Sequence, residues 1–272
     1  MSSKRKTRRL PASRERRPAA GKQATGQWLW GAHAVLAALA NPQRLPARLI
    51  LTPEAAQRHA AELHPLLAER PELRPESLGR EAFAKLLPEG AVHQGIALAT
   101  PALPQPGLEE LLHGNAGRAS VVIVLDQVTD PHNVGAILRS AAVFGADALI
   151  TTERHAPQEN GVLAKSASGA LEHLPYIRVT NLARGLEALK AAEYWCLGFA
   201  SEAAEALGGF AAPPRTALVL GAEGLGLRRL TREACDLLVR LPVRGAIRDL
   251  NVSNAAAVGL YELLGRSSKG ET

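Results

Sequence analysis

Only two cysteines occur in the 272 residues, Cys196 and Cys235, each inside an apolar segment. Two such thiols build neither a zinc knuckle nor a disulfide framework, so a cross-linked secreted scaffold is excluded and a reducing compartment is expected. A membrane-length apolar run is also missing. The nearest candidate, Trp28 to Ala40, is thirteen residues long and is interrupted by His33, whereas a bilayer-spanning helix needs about twenty. Acidic residues are scarce at the start: residues 1–22 hold nine Lys or Arg against the single Glu15, a charge of +8. The rest of the chain carries 23 basic and 25 acidic residues, or −2. With almost no large apolar side chains, residues 1–26 are expected to be a disordered basic tail. Such a tail is either a solubilising segment or a polyelectrolyte arm for RNA phosphates. What remains is an ordinary globular composition, 46% hydrophobic, in a chain long enough to bury a proper core.

The chain is organised around Val121 to Gly145. Five apolar residues, four of them β-branched, open it and read as a strand buried on both faces. A polar loop follows with Asp126, Gln127, Thr129, Asp130, His132 and Asn133. Asp130 before Pro131 reads as an N-cap with proline at the first helical position. Val134, Ile137, Leu138, Ala141 and Ala142 then follow the spacing of a packed helix face. Arg139 lies off that stripe, about 100° round from Leu138. It is either a solvated residue or a functional one.

Two later stretches bear on that choice. Leu218 to Leu227 is a short apolar strand running into three glycines and Glu223. Leu241 to Glu262 is a strand end, a loop with Asp249, Leu250 and Asn251, and a last helix. The glycine run Gly221-Ala-Glu-Gly-Leu-Gly226 is not G-x-G-x-x-G, and it lacks the Gly-Lys-Ser/Thr of a P-loop. It also follows a late strand rather than the first. It either turns the chain or lets a ligand lie on main-chain groups.

Taken together, D-P-x-N-x-G-x-x-x-R, G-x-E-G-x-G and L-N-V-S resemble the three motifs of the TrmH family of SPOUT methyltransferases over roughly Gln27 to Ser267. The resemblance implies an α/β fold: a C-terminal SPOUT trefoil knot with a small N-terminal substrate-binding domain like ribosomal protein L30e. Periodicity has no access to a knot. The implied activity is S-adenosylmethionine-dependent RNA ribose 2′-O-methylation. The bacterial members that methylate a guanosine of 23S rRNA are the best likeness. tRNA methylation, or a non-catalytic RNA-binding or ribosome-assembly role, stands as an alternative. Cytoplasmic placement is expected, although the arginine-rich, acid-poor start also fits a mitochondrial presequence.

The expected organisation is a basic tail (1–26), the small domain (27–100), a linker (101–117), the methyltransferase domain (118–266) and a short tail (267–272). In the small domain, helices are expected at Gly31 to Ala40, Pro53 to Glu62 and Arg80 to Leu87. Strands are expected at Arg48 to Leu51 and Gly95 to Ala99. His93 and Gln94, which match the end of the family's substrate domain, are either RNA contacts or part of a hydrogen-bonded strand edge. Pro101 to Gly107 holds three prolines and marks the boundary. Six short strands then alternate with helices, a pattern of a mostly parallel sheet. They begin at Val121, Ala148, Tyr176, Trp195, Ala217 and Leu237, with helices at Leu182 to Ala192 and Val252 to Leu264.

By the resemblance, Gly221, Leu241 and Leu250 hold S-adenosylmethionine, largely through backbone groups, and no metal is involved. Arg139 is the catalytic arginine, Asn133 and Glu223 position it and the ribose, and Asn251 orders the loop beside the cofactor. A guanidinium keeps its proton above pH 12, so Arg139 is either an unusual base or an electrostatic stabiliser. Asp249 departs from the family's usual serine, and is read as a helix cap or a proton acceptor. On the last helix, Val258 and Tyr261 lie off the Val252, Ala255, Ala256, Gly259, Leu260 stripe. That second apolar face suggests a homodimer interface, or else ordinary burial within one subunit.

Overall fold

The computed structural model describes residues 26–209, 211–246 and 249–265. The expected basic and C-terminal tails thus lie outside the described residues, apart from Gly26. Beginning the small domain are β1 (Gln27–Trp30), α1 (Ala32–Ala40), β2 (Arg48–Leu51), α2 (Pro53–Arg58) and α3 (Ala60–Ala68). After them come β3 (Glu76–Ser77), α4 (Arg80–Ala84) and β4 (Ile96–Thr100). The strands form one sheet in the order β1-β4-β2-β3, with β4 antiparallel to both β1 and β2. β1 is additional to the expected strands, and Gly31 (φ 90°) separates it from α1. Two expectations change here. The helix expected to end at Glu62 is two helices broken at His59. The helix from Arg80 is a single short turn that stops at Ala84.

Residues 101–107 have no regular structure, and the rest of the expected linker contains α5 (Leu108–Gly114). Beyond it run β5 (Ser120–Asp126), α6 (Pro131–Phe144), β6 (Ala148–Thr152), α7 (Gly161–Ala167) and β7 (Tyr176–Val179). Next are α8 (Leu182–Ala191), β8 (Trp195–Phe199), β9 (Glu205–Ala206), β10 (Arg215–Gly221) and α9 (Arg229–Ala234). The chain closes with β11 (Leu237–Arg240) and α10 (Val252–Leu260), which runs on as a π-helical turn over Tyr261–Gly265. The seven strands pair in the order β7-β6-β5-β10-β8-β11-β9, every pair parallel. The six expected strands are all present, and only the two-residue β9 is additional.

Period-two alternation divides the core. From β5, Val121, Ile123 and Leu125 face the layer of α6, α7 and α10, while Val122 and Val124 face that of α8. Burial of such side chains contributes about 1.5–3 kcal/mol each, which is why β5 reads as continuously apolar. The first layer also receives Ala34, Val35 and Ala38 of α1, packed in one cluster with Leu163, Ala164 and Ala167 of α7. The two sheets therefore share a core.

Their seam carries a buried ion cluster that the sequence reading missed. Arg44 is 1% exposed, and its Nη2 lies 2.6 Å from Glu159 and 2.7 Å from Glu172. Burial pushes the Glu159 carboxyl above its ordinary range against the pull of Arg44. Asn41 and Gln27 add hydrogen bonds to the two carboxylates. Nothing local marks Arg44 in the sequence, since its partners are more than a hundred residues away. Cys196 is buried and Cys235 half-buried, and burial pushes both thiols up to about 12, which keeps them protonated and unreactive. Among the described residues no helix is long and apolar enough to cross a membrane.

Candidate active site

The site residues gather at the carboxyl ends of β5 and β10 and at the amino end of α10, the edge where open parallel sheets bind ligands. As β5 ends, Asp130 accepts a hydrogen bond from the His132 N–H at 2.9 Å and caps α6, with Pro131 at its first position. This is the expected start of the helix, and it fixes Asn133 in the first turn. Gly135, the motif's next glycine, lets α6 approach α7: a Cβ there would lie 2.3 Å from the Cβ of Ser166.

Asp126 is fully buried at the end of β5. Its carboxylate accepts from the Arg228 N–H at 2.9 Å and from Arg228 Nε at 2.7 Å. A buried charge persists only when paired and hydrogen-bonded, and here the pair ties the end of the glycine loop to the central strand. Sequence reasoning placed Asp126 in the polar loop but did not find its partner. Gly221 is opposite Asp126 in register, and the loop folds back through a bridge between Ala222 and Gly226. A Cβ on Gly221 would sit 2.1 Å from the Gly226 carbonyl carbon, so glycine is required for this return. Gly226, at φ 65°, takes the left-handed turn.

That loop presents Glu223. Its Oε1 accepts from Asn133 Nδ2 at 2.9 Å and from Asn251 Nδ2 at 2.5 Å, with the Val252 N–H at 3.4 Å. Asn251 Nδ2 also donates to Asn133 Oδ1 at 3.0 Å. The other end of the Asn251 amide caps α10, its Oδ1 accepting from the Ser253 N–H at 2.9 Å. Three of the expected residues, one from each motif, thus form a single hydrogen-bonded cluster. Asp249 is exposed and is not the cap. That expectation is corrected: the position directly before α10 belongs to Asn251, two residues later.

Arg139 does not join this cluster. Six residues after Asn133 on α6, it lies about 120° round the axis and about 9 Å along it. It is exposed, and it makes no hydrogen bond or ion pair among the described residues. One turn on, Val143 is 73% exposed, and Val258 and Tyr261 of the neighbouring α10 are each 46% exposed. The second apolar face expected of α10 is therefore only partly covered by the described residues.

Leu241 follows β11 and is half-buried against the main core, while Leu250 precedes Asn251 and is exposed. Leu225 in the glycine loop and Val243 after β11 are exposed as well. In the small domain, Gln94 (φ 57°) accepts the Ala32 N–H at the start of α1 at 3.0 Å. His93 Nδ1 accepts the Gly95 N–H at 3.1 Å, and its ring stacks on Phe83. Both hold the strand edge in shape.

Residues 120–261 match the model of the SpoU rRNA Methylase family, and residues 28–106 that of RNA 2′-O ribose methyltransferase substrate binding. A protein of Photobacterium profundum named 23S rRNA (guanosine-2′-O-)-methyltransferase RlmB is 41% identical over 239 residues, covering 86% of this chain and 95% of its own. One of the same name from Bordetella pertussis is 39% identical over 251 residues, covering 88% and 97%. Among solved structures, the SpoU methyltransferase AviRb of Streptomyces viridochromogenes in complex with AdoMet aligns with a TM-score of 0.74 at 22% identity, over 89% of this chain and 91% of that one.

Proposed function

The chain belongs to the SpoU rRNA methylase family, and from that premise we infer that it is an S-adenosylmethionine-dependent 2′-O-methyltransferase acting on a guanosine of 23S rRNA in the cytoplasm. The observation that carries the reading is the Asn133–Glu223–Asn251 cluster, which joins three motifs at the ligand-binding edge of a parallel sheet. Relatives bearing that activity in their names match along both domains, which favours rRNA over the tRNA alternative.

The residues at this edge fit the cofactor. An adenosyl group needs apolar cover and main-chain hydrogen bonds. Exposed Leu225, Val243 and Leu250 offer the first, and the open turn of Gly221 to Gly226 with the chain after Leu241 offers the second. When bound, S-adenosylmethionine supplies a methyl group already activated on sulfur. The protein must therefore position the ribose and manage the charge on O2′. Glu223 Oε1 is occupied by Asn133 and Asn251. Its Oε2 accepts no hydrogen bond among the described residues, and we assign it to the 2′-hydroxyl and its proton. Asn133 and Asn251 hold that carboxylate in place. Arg139, permanently charged, stabilises the oxygen as it becomes negative and steadies an adjacent phosphate.

Arg139 makes no hydrogen bond with its own chain's cluster among the described residues, and one turn along α6 from it stands the exposed Val143. A homodimer formed through α6 and α10 covers that face and lets Arg139 serve the partner's cluster. The direct test of the function is to map 2′-O-methyl groups on rRNA and tRNA from a strain lacking the gene. Loss of one guanosine methyl from 23S rRNA, restored by the wild-type gene, is the expected result. Intact 23S rRNA with a missing tRNA methyl would overturn it.

A further inference from the structure

Lys165 of α7 stands where the two sheets meet. No carboxylate lies within ion-pair distance of its ammonium among the described residues. Among the described residues its one hydrogen-bond partner is Gln94 Oε1 at 3.5 Å, an oxygen already accepting the Ala32 N–H. Backbone comes close to the lysine here: a Cβ on Gly31 would fall 2.9 Å from Nζ. Partial burial holds the ammonium below its ordinary range, the mark of a cation short of solvent and of a counter-charge.

The surroundings are cationic as well. Arg80 and Lys165 both act on His93 and, after burial, hold it below its ordinary range. Both effects favour the neutral imidazole. Because Nδ1 accepts the Gly95 N–H, its proton is on Nε2, leaving a further donor. Among the acids, Glu54 feels the charge of Arg80. Towards the active site, the residue after Lys165 is Ser166, whose hydroxyl lies 3.1 Å from His132 Nδ1. His132 directly precedes Asn133. At the same seam Arg44 is held between Glu159 and Glu172.

We propose that this seam is a phosphate subsite for the RNA, in which Lys165 binds a backbone phosphate of the strand that passes from the small sheet to the Asn133–Glu223–Asn251 cluster. The proposal deepens the methyltransferase reading and rests on it. An ammonium on a phosphate releases one condensed counterion, so losing it should lower the salt slope of single-stranded RNA binding by about 0.7. At 0.1 M salt that amounts to roughly a fivefold weaker Kd.

The test uses the full chain and its Lys165→Met and Lys165→Arg variants, with Lys190→Met on α8, across the sheet, as control. Binding of polyuridylate is titrated from 50 to 300 mM KCl, and KM and kcat are measured on unmodified 23S rRNA transcript. Lys165→Met should flatten the slope by about 0.7 and raise KM about fivefold, with kcat within twofold. Lys165→Arg and Lys190→Met should keep the wild-type slope. An unchanged slope in Lys165→Met, or a slope lost equally in Lys165→Arg, overturns the proposal. So does a fall in kcat at unaltered KM, which would make Lys165 a structural residue of α7. If the wild type binds polyuridylate with the expected slopes but leaves 23S rRNA unmethylated, the subsite stands and the assigned substrate falls.

Discussion

Replacing Asn251 by aspartate separates its two jobs. Aspartate is as good an N-cap as asparagine, so the bond to the Ser253 N–H and the start of α10 are kept. The two bonds from Nδ2, to Glu223 Oε1 and Asn133 Oδ1, are lost, and a carboxylate oxygen replaces a donor that stood 2.5 Å from Glu223. Two carboxylates relaxed to about 3 Å repel by about 1.4 kcal/mol even at the dielectric constant of water. A lost hydrogen bond to a charged group adds about 1.5 kcal/mol at this exposed position. The sum, about 3 kcal/mol, corresponds to roughly a hundredfold loss in kcat/KM, with a Tm decrease of at most roughly 6–12 °C. The signature is its pH dependence. Like charges raise the apparent pKa of the pair in the folded protein above its unfolded value. The penalty is therefore complete at pH 8 and shrinks as the pH falls through the raised value, where one proton is shared. Asn251→Ser keeps a cap without the charge and should be milder and flat with pH. Thermal melts and single-turnover rates from pH 5 to 8 decide the matter. A deficit in Asn251→Asp that does not narrow at low pH, or equal damage from serine, would refute the cluster as the organising contact.

Arg139→Ala should abolish methyl transfer while cofactor affinity, followed by calorimetry, stays within a few-fold. Mixed with Glu223→Gln it should regain activity in heterodimers, and no recovery would place Arg139 in its own chain's site. Asp249→Asn and Asp249→Ser should both retain activity and change stability by about 0.5 kcal/mol or less, since Asp249 is exposed and does not cap α10. A dead Asp249→Asn with intact cofactor binding would restore the proton-acceptor role. Arg44→Met leaves two buried carboxylates without their cation and should cost about 3–5 kcal/mol, read as a Tm drop of roughly 10 °C or more. A melt within 2 °C of wild type would show that the ion cluster does not hold the seam.

What the sequence determined by itself is local. The strand at Val121 to Leu125, the Asp130–Pro131 cap and the α6 stripe each depend on residues within a turn or two of one another, and the structure repeats them with little change. The six main strands were legible for the same reason, since strands of a parallel sheet are buried on both faces and read as apolar runs. That Asn133, Glu223 and Asn251 belong together was suggested once three separate motifs were taken jointly, and the three do form one hydrogen-bonded cluster. What only the tertiary structure decided is who meets whom. Asn133 reaches Glu223 across 90 residues and Asn251 across 118, because strand order sets β10 beside β5 and brings α10 against α6. Periodicity carries no information on that order. The same limit hid the Asp126–Arg228 clasp and the Arg44 cluster, since Asp126 and Arg44 look like ordinary surface charges until the fold buries them. It also misassigned the cap of α10 to Asp249: two polar residues stood before the helix, and the choice fell to the one whose amide could bond the helix start and the distant cluster at once. Arg139 shows the converse. Its displacement from the apolar stripe was visible in the sequence, but that it makes no hydrogen bond with the Asn133–Glu223–Asn251 cluster showed only in the folded chain.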